Sequence, residues 1–349
     1  AFLWLLLWRV VMSVPSVSSD ASLPDGAQPV TGRPARMPLL ALLDPSLMAQ
    51  YAPRPPAPPK PVAPPPAAPG RPGRRKAVSH DPQLAHFNAR FVAAGHPADS
   101  LRLTPQQQVA ASFDEWRLSS QFAPILAPGA ATPFAYKAQL RISGPAGHSV
   151  APPLLFAVER APSRTVLLDR LCRVTHCLNF VRHGQPDAAL HLNVHALHLI
   201  NLPDGHGEFF AEAIAELGLR PSQLTLEIVE DAEVDLLRLQ RCMDSYRRFG
   251  FKLALDDFGA SELSLPRVWL LEPDAVKLHE RLLHRALSHP AARDALPRAV
   301  NILHAAGCQV IAEGVDTARH AELAGQAGCD GLQGRWVGPL HSRPQATSR

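Results

Sequence analysis

The sequence predicts a closed barrel of alternating strands and helices over residues 121–345, preceded by a segment that cannot build a core. From residue 122 to 344, short apolar runs of strand type recur, and segments with helical spacing of apolar residues separate them. Polar residues interrupt these strands at one consistent place, their C-terminal ends. Repeated strand–helix units imply a parallel sheet, and the number of units favours a closed (β/α) barrel.

Residues 1–80 are predicted to form a disordered tail rich in proline and alanine. The chain has 36 prolines among 349 residues, and residues 53–72 (PRPPAPPKPVAPPPAAPGRP) are dense in them. Such a composition favours polyproline II and buries no core. The tail holds nine Lys/Arg against three Asp/Glu, a balance of +6, whereas the rest of the chain carries −2 of the net charge of +4. We interpret the tail as a solvated linker and expect no nucleic-acid polymer as a partner.

The extreme N-terminus is apolar, and its interpretation decides the predicted location. Residues 2–17 read FLWLLLWRVVMSVPSV, with Arg9 inside the run and Pro15 near its end. A membrane span needs about 20 apolar residues, and a signal peptide begins with a positive region that is missing here. The five cysteines form no CxxC pair, as is typical of a reducing compartment. We therefore predict a cytoplasmic protein, with an inner-membrane anchor through residues 2–17 as the alternative. The chain begins with Ala, and Met12 or Met37 are alternative starts for the native protein.

Residues 81–120 are predicted to be a helical lead-in to the barrel. Thr104 is a candidate N-cap, because its hydroxyl can accept from the first free backbone N–H groups of a helix. Pro105 would take the first helical position, where its fixed φ is favourable. The run PQQQVAASFDEWRLSSQF follows as the body of this helix.

The predicted barrel strands follow one another at regular intervals. They are 191–194 (HLNV), 224–229 (LTLEIV), 251–255 (FKLAL), 275–278 (AVKL), 309–312 (QVIA) and 331–333 (GLQ). Between them, residues 231–249 form a predicted helix with Val234, Leu237, Met243 and Tyr246 on one stripe. Three helices end in a glycine directly before a strand, where a left-handed residue closes the helix. These glycines are Gly250, Gly307 and Gly328.

Polar side chains at the strand ends are the candidate functional residues. Because all strand C-termini of a barrel share one rim, these residues are expected to converge although they are far apart in sequence. Gathered carboxylates are costly unless a cation balances them. The set comprises Asn193, Glu227, Asp256, Asp257, Lys277, Glu313 and Gln333.

The order of these motifs resembles the EAL family of cyclic di-GMP phosphodiesterases. The family pattern ExLTE, DDFG, K-I-D, AEGVE and QG corresponds here to LEIVE at 226–230, DDFGA at 256–260, VKLH at 276–279, AEGVD at 312–316 and LQGRW at 332–336. The resemblance implies a TIM-like (β/α)8 barrel of the EAL type. It also implies a metal-dependent conversion of cyclic di-GMP to linear pGpG.

The resemblance assigns a role to each matching residue. The family's metal ligands correspond to Asn193, Glu227, Asp256 and Asp257. Oxygen ligands of this kind suit Mg²⁺ or Mn²⁺, which would activate a water and hold the scissile phosphate.

The remaining family roles concern the nucleotide and the attacking water. Lys277 resembles the lysine that steadies the water, and Glu313 and Gln333 complete the pocket. Glu230 resembles the glutamate that braces the loop after DDFG. Arg141 matches the arginine that holds a phosphate, for which a bidentate guanidinium is well suited.

The motif that names the family departs from its pattern at the first residue. The family's E-A-L-L-R reads KAQLR at 137–141, so that Lys137 stands where the first metal-binding glutamate is expected. An ammonium cannot ligate a metal ion. We expect Lys137 to occupy the vacated metal position and to pair with Glu227 or Asp256. In the alternative, Lys137 turns to solvent and the site binds metal weakly.

Other positions have drifted as well. The loop after DDFG, at 260–264 (ASELS), lacks the family's glycine and aromatic residue, which is expected to change any dimer contact that it makes. The K-I-D aspartate is His279, which we interpret as a rim residue. Arg335 stands in place of an aromatic residue, and we expect it to be solvated.

Three functions are open at this point. The prediction is a degenerate, catalytically impaired EAL domain that binds cyclic di-GMP as a receptor or regulator and needs no metal. The first alternative is an active phosphodiesterase that uses Mg²⁺ or Mn²⁺. The second is an interaction scaffold that no longer binds nucleotide. A protein partner and a homodimer are compatible with each of the three.

Overall fold

The computed structural model describes residues 81–344, apart from 94, 96, 146, 160, 185–186, 201–205, 230–233 and 261–263. The predicted tail at 1–80, with its apolar run, lies outside the described residues, and so do Glu230 and loop residues 261–263. Among the residues that are described, no helix is long and apolar enough to cross a membrane.

The strands of the described chain join into one sheet. They are β1 (Leu101–Leu103), β2 (Val109–Phe113), β3 (Trp116–Ile125), β4 (Ala135–Ser143), β5 (Ser149–Val150), β6 (Ala189–His195), β7 (Leu224–Val229), β8 (Lys252–Phe258), β9 (Ala275–Leu278), β10 (Gln309–Ala312) and β11 (Gly331–Leu332). The order in the sheet is β1-β2-β3-β4-β6-β7-β8-β9-β10-β11, with β5 paired to β4.

The helices mostly connect successive parallel strands. They are α1 (Pro82–Ala93), α2 (Pro152–Val158), α3 (Pro162–His183), α4 (Ala196–Ile200), α5 (His206–Glu216), α6 (Leu236–Arg248), α7 (Ser264–Leu271), α8 (Glu280–Ser288), α9 (Pro290–Ala305) and α10 (Ala318–Gln326).

The sheet closes on itself, which confirms the predicted barrel. Neighbours from β4 through β6 to β11 run parallel, and β3 runs antiparallel to β4. Directly after β3, the Leu126 N–H donates to the Leu332 carbonyl at 3.1 Å, and the Leu332 N–H donates back at 2.8 Å. This bridge joins β11 to the end of β3, so that the barrel contains one antiparallel strand among parallel ones.

Alternating side chains divide each strand between an outer and an inner core. Leu190, Leu192 and Leu226 belong to the large core that includes buried residues of the surrounding helices. Ala135 and Ile311 instead lie in a small inner cluster. Because side chains of a strand alternate between faces, residues two positions further along these strands also point inward, toward the C-terminal rim.

The predicted helical lead-in is correct for α1 and wrong for residues 104–120. Thr104 and Pro105 belong to a turn, and the Thr104 N–H donates to the Gln108 carbonyl at 2.7 Å. The following residues form β2 and β3, which pair antiparallel. Val109, Ala111 and Phe113 are buried in β2, which is the two-residue period of a strand. The Thr104–Pro105 pair suggested the start of a helix, but the alternation of apolar residues after it is that of a strand, and the strand forms.

The helix predicted at 231–249 is α6, with one correction to its buried stripe. Asp235 caps it, since its side chain accepts from the N–H groups of Leu237 and Arg238. Leu239, Met243 and Tyr246 are buried, whereas Leu237 is 64% exposed. Position 237 lies six residues before Met243, which places it on the opposite side of the helix.

The glycine signals at the helix ends are confirmed. Gly250, Gly307 and Gly328 have φ values of +89°, +82° and +88°. Each lies between a helix and the strand that follows it, as a left-handed helix terminator should.

Candidate functional site

Five charged side chains meet inside the C-terminal end of the barrel, each supplied by a different strand. Lys137 lies in β4, Glu227 in β7, Asp256 in β8 and Lys277 in β9, and Glu313 directly follows β10. In the strand registers, Glu227 is opposite Ala254, two residues before Asp256, and Lys277 is opposite Ile311, two residues before Glu313. The predicted convergence of these residues is therefore confirmed.

Lys137 is buried at the centre of the carboxylates. Its Nζ lies 2.9 Å from Glu227 Oε2, 2.9 Å from Asp256 Oδ2 and 3.3 Å from Glu313 Oε1. The side chain is 9% exposed. The expectation that Lys137 pairs with Glu227 or Asp256 is confirmed for both, and the alternative that it turns to solvent is wrong.

A second ammonium and an imidazole complete the buried cluster. Lys277 Nζ lies 2.9 Å from Glu227 Oε1 and 2.5 Å from Glu313 Oε1, and its side chain is fully buried. His191 Nδ1 lies 2.8 Å from Glu227 Oε1. Sequence analysis missed His191, although it stands two positions before Asn193 on the inner face of β6 and the alternation of that strand indicates it.

The ion pairs fix the charge state of the two central groups. Burial opposes the charge of Lys137, but Glu227, Asp256 and Glu313 outweigh it and hold the lysine pKa well above its usual value. Burial likewise disfavours ionised Glu227, yet Lys137, Lys277 and His191 hold the pKa of this carboxyl well below its usual value. Both groups are therefore charged across the physiological range.

The other two carboxyl groups of the cluster differ from each other. Burial raises the pKa of Asp256 to about 6, because the positive charges of Lys137 and Lys277 do not offset burial and the repulsion from Glu227 and Glu313. Burial also acts to raise the pKa of Glu313, but the positive charges of Lys277 and Lys137 outweigh it, so the pKa of Glu313 is lowered. Asp256 is thus the carboxyl group of this cluster that takes up a proton first as the pH falls.

The remaining predicted residues lie around this cluster. Asn193 is exposed on β6, opposite Glu227 in register. Arg141 is exposed near the end of β4, four residues beyond Lys137 and on the same face. Gln333 is buried beside Glu313, and its Oε1 has no hydrogen-bond partner among the described residues. Glu230 lies outside the described residues.

Asp257 and His279 face each other at the mouth of the pocket. Asp257 has a φ of +59° and a side chain that is 42% exposed. His279 caps α8, because its Nδ1 accepts from the Arg281 N–H at 3.1 Å. The His279 Nε2 lies 4.0 Å from Asp257 Oδ1.

Arg335 also lies at the rim, and the expectation of a solvated arginine is confirmed in part. Its side chain is 84% exposed, but the guanidinium lies 2.5 Å from Asp316 Oδ2. The Arg335 backbone N–H donates to the same carboxylate at 3.0 Å. Arg335 is therefore held by Asp316 as well as by water.

The residues present fit a divalent ion only in part. Oxygen atoms of Asp256, Asp257 and Glu313 lie within 4.8 Å of one another and could hold an ion. The larger set of Asn193, Glu227, Asp256 and Asp257 does not fit one, because the Lys137 ammonium contacts oxygens of Glu227 and Asp256.

Lys137 also weakens the smaller oxygen cluster. An ion bound to Asp256 would stand about 5 Å from the Lys137 Nζ, given a metal–oxygen distance of about 2.1 Å. Repulsion between a divalent ion and an ammonium at this separation costs about 2–7 kcal/mol for effective dielectrics of 80 to 20. The geometry therefore favours a pocket whose cations are supplied by the chain itself.

Comparison with known proteins identifies a shared domain. A family model described as the EAL domain matches residues 106–340, starting within the segment predicted to be a helical lead-in. The signaling protein YkoW of Bacillus subtilis is 29% identical over 117 residues, which are 33% of this chain and 15% of YkoW. The chain thus spans a minor part of this relative's length.

Solved structures share the fold at lower identity. The FimX EAL domain from Pseudomonas aeruginosa bound to c-di-GMP has a TM-score of 0.59 and 18% identity, over 66% of this chain and 93% of the solved EAL-domain chain. The Bacillus subtilis YkuI protein, in complex with c-di-GMP and calcium, has a TM-score of 0.56 and 21% identity, over 65% of this chain and 56% of YkuI. Both likenesses support the barrel described above.

Proposed function

Because this chain belongs to the EAL domain family, we propose that it binds cyclic di-GMP as a receptor or regulator and is impaired in hydrolysing it. The similar structures of FimX and YkuI, which contain this nucleotide, support the choice of ligand. The position of Lys137 among three carboxylates is the observation that carries the proposed loss of catalysis.

Hydrolysis of a phosphodiester needs a positioned nucleophile and stabilisation of the charge that develops on the phosphate. A divalent ion supplies both when it is bound, since it acidifies a water and polarises a phosphoryl oxygen. The ammonium of Lys137 neutralises carboxylates but offers no open coordination position for a water. The same substitution that keeps the cluster stable without an ion thus removes the means of activating the nucleophile.

A lysine at position 137 makes the charge of the pocket less unfavourable for an anionic ligand than a glutamate would. Lys137 and Lys277 oppose Glu227, Asp256, Asp257 and Glu313, which leaves a formal charge of −2 when all six groups are ionised. A glutamate at position 137 would make this charge −4. Lys137 therefore halves the repulsion that a phosphodiester dianion meets in the absence of metal.

The side chains around the cluster divide into those free to bind and those already engaged. Arg141 is exposed on the inner face of β4 and can take a phosphate oxygen pair. Gln333 offers a buried oxygen without a partner among the described residues, which suits an N–H donor of a guanine base. Lys277 is engaged by two carboxylates, so its ammonium is not free to steady an attacking water.

Calorimetry with cyclic di-GMP, in EDTA and then in Mg²⁺ or Mn²⁺, tests this function alongside an assay for linear pGpG. We expect binding of similar affinity in both conditions and little turnover. Rapid conversion to pGpG by the wild type would contradict impaired catalysis. Absence of binding in both conditions would contradict the receptor and leave the scaffold alternative.

A weak single-ion phosphodiesterase is the second candidate. The oxygen cluster of Asp256, Asp257 and Glu313 favours it, since one ion could still bind there. In that case turnover should be slow, should require Mn²⁺ or Mg²⁺ and should disappear in Asp257→Asn. We also propose a cytoplasmic location, in line with five cysteines that are all free; cell fractionation tests it.

A further inference from the structure

His279 has a fixed tautomer because of its place at the start of α8. Its Nδ1 accepts a hydrogen bond from the Arg281 N–H, so in the neutral ring the proton is on Nε2. The side chain is 20% exposed, and Nε2 is the ring nitrogen that lies 4.0 Å from the Asp257 carboxylate. His279 therefore presents an N–H group to Asp257.

The same cap argues against His279 as a metal ligand. Ligation through Nε2 needs a lone pair there, which moves the proton to Nδ1. A protonated Nδ1 would face the Arg281 N–H, and the capping hydrogen bond would be lost. His279 thus acts on Asp257 as a donor rather than on a cation as a ligand.

Asp257 is the one member of the Asp256–Asp257–Glu313 oxygen cluster that neither Lys137 nor Lys277 contacts within the described part of the chain. Its positive φ lies at a register shift between β8 and β9, and this irregularity turns the carboxylate toward the start of α8. The 4.0 Å gap to Nε2 is longer than a hydrogen bond, and the partly exposed carboxylate has room to close it.

We propose that His279 is a positioning residue for Asp257 and, with Lys137, makes the pocket independent of metal. Lys137 balances the inner carboxylates, and the His279 Nε2–H, 4.0 Å from Asp257 Oδ1, competes with an ion for the outer carboxylate. The ligand readout of this inference rests on the proposed receptor function, whereas its metal readout does not.

Three substitutions of His279 separate its capping hydrogen bond from the approach of its Nε2–H to Asp257. His279→Asn keeps a good helix cap and removes the Nε2–H. His279→Gln loses the cap but places an amide N–H near the position of Nε2. His279→Asp keeps the cap and adds a carboxylate beside Asp257. His289→Asn is the matched control, because His289 is an exposed histidine at the start of the next helix, α9.

Mn²⁺ titration of the protein without nucleotide, followed by electron paramagnetic resonance, is the first measurement. We expect His279→Asp to bind Mn²⁺ about tenfold more tightly than the wild type, because the added carboxylate offers the ion a further charged oxygen ligand. His279→Asn should bind it more tightly than the wild type by a smaller factor. His279→Gln and His289→Asn should match the wild type.

Cyclic di-GMP affinity in EDTA and in Mn²⁺ is the second measurement. His279→Asp should bind the nucleotide about tenfold more weakly than the wild type in EDTA and recover in Mn²⁺. Equal Mn²⁺ affinity in His279→Asp, His279→Asn and the wild type would overturn the inference. A His279→Gln variant that behaves like His279→Asn would also overturn it, because the cap and not the Nε2–H would then be responsible. If the wild type binds no cyclic di-GMP, the receptor function fails and the Mn²⁺ titration still decides the role of His279.

Discussion

At the residue scale, Lys137 shows how one substitution changes a whole ionic network. Its ammonium contacts carboxylates from three strands, and two of these carboxylates also contact Lys277. Breaking a buried ion pair by removing one partner leaves the other charge without compensation. Lys137 is therefore as important for the stability of the barrel as for the chemistry of the pocket.

We expect Lys137→Glu to lower the free energy of unfolding in EDTA by about 3–5 kcal/mol, since it leaves buried carboxylates without their counter-charge. Added Mn²⁺ should restore part of this loss, while the wild type should not respond. Urea unfolding in EDTA and in Mn²⁺ measures both effects. Lys137→Met is the matched control, because it removes the ammonium without adding an oxygen ligand and should gain less from Mn²⁺. A Lys137→Glu variant that ignores Mn²⁺ would show that position 137 is not in the metal position.

His176 should make stability depend on pH in a defined window. Burial lowers the pKa of His176 to about 4, whereas an unfolded histidine has a pKa of about 6.5. Between these values the unfolded chain binds a proton that the folded chain excludes, so stability falls as the pH falls from 6.5 toward 4. The free energy of unfolding should fall by about 3 kcal/mol in total between these two pH values because of His176.

Urea unfolding of the wild type and His176→Asn between pH 4.5 and 7.5 tests this expectation. Asparagine places its amide near the position of Nδ1 and can still bond Ser120, whose Oγ lies 2.8 Å from His176 Nδ1. The wild type should lose more stability than the variant on acidification. Asp256, with a pKa of about 6, also titrates in this range, but it contributes equally to both proteins and cancels in the difference. Parallel pH profiles would refute the assignment.

At the scale of elements, two helices are attached to strands by asparagine amides. Asn88 of α1 donates to the Leu101 carbonyl and accepts from the Leu101 N–H, at 2.9 and 2.7 Å. Asn179 of α3 makes the same pair of bonds to Val109 of β2, both at 2.8 Å. Each amide satisfies the N–H and C=O of one residue, which fixes the register of a helix against a strand.

We expect Asn179→Ala to cost about 2–4 kcal/mol of unfolding free energy, because it leaves two buried backbone groups without partners. Asn88→Ala should cost less, since the corresponding bonds are only partly buried. Denaturant unfolding gives the two costs, and hydrogen exchange of the Val109 and Leu101 amides locates them. A cost for Asn179→Ala no larger than that for Asn88→Ala would contradict this reasoning.

At the scale of the whole molecule, the sequence predicted the barrel from local signals and missed what depends on distant contacts. Alternating apolar runs and helix-ending glycines such as Gly307 can be read from a few consecutive residues. These signals predicted the positions of the strands from β6 onward. The antiparallel strands β2 and β3 were mistaken for a helix because Thr104 and Pro105 form a capping pattern. The closing bridge between Leu126 and Leu332 has no local signal, since it joins the end of β3 to β11, which are far apart in the sequence.

The candidate site was predictable to the same extent. Residues at the strand ends, such as Glu227 and Asp256, were predicted to converge because a barrel has one C-terminal rim. The contact of Lys137 with Glu313 was not predicted, since β4 and β10 are not neighbours and face each other only across the interior. Pairing across a barrel depends on its diameter and on side-chain length, and neither can be read from one strand.

We expect residues 81–349 to fold without the proline-rich tail. The described core contains the closed barrel, α1 and the strands that α1 contacts, whereas a segment dense in proline contributes no core of its own. The shortened chain should unfold with the same midpoint as the full chain and bind cyclic di-GMP equally well. Loss of stability on removal of 1–80 would show that the tail packs on the barrel.

The buried ammonium of Lys137 also changes what the pocket can sense. In a pocket that takes its cation from solution, occupancy depends on two concentrations, that of the nucleotide and that of the metal ion. A cation that is bonded to the backbone has a fixed local concentration, and no chelator or competing metal can withdraw it. A receptor built around Lys137 would therefore report the nucleotide alone, unaffected by changes in the cell's metal ions.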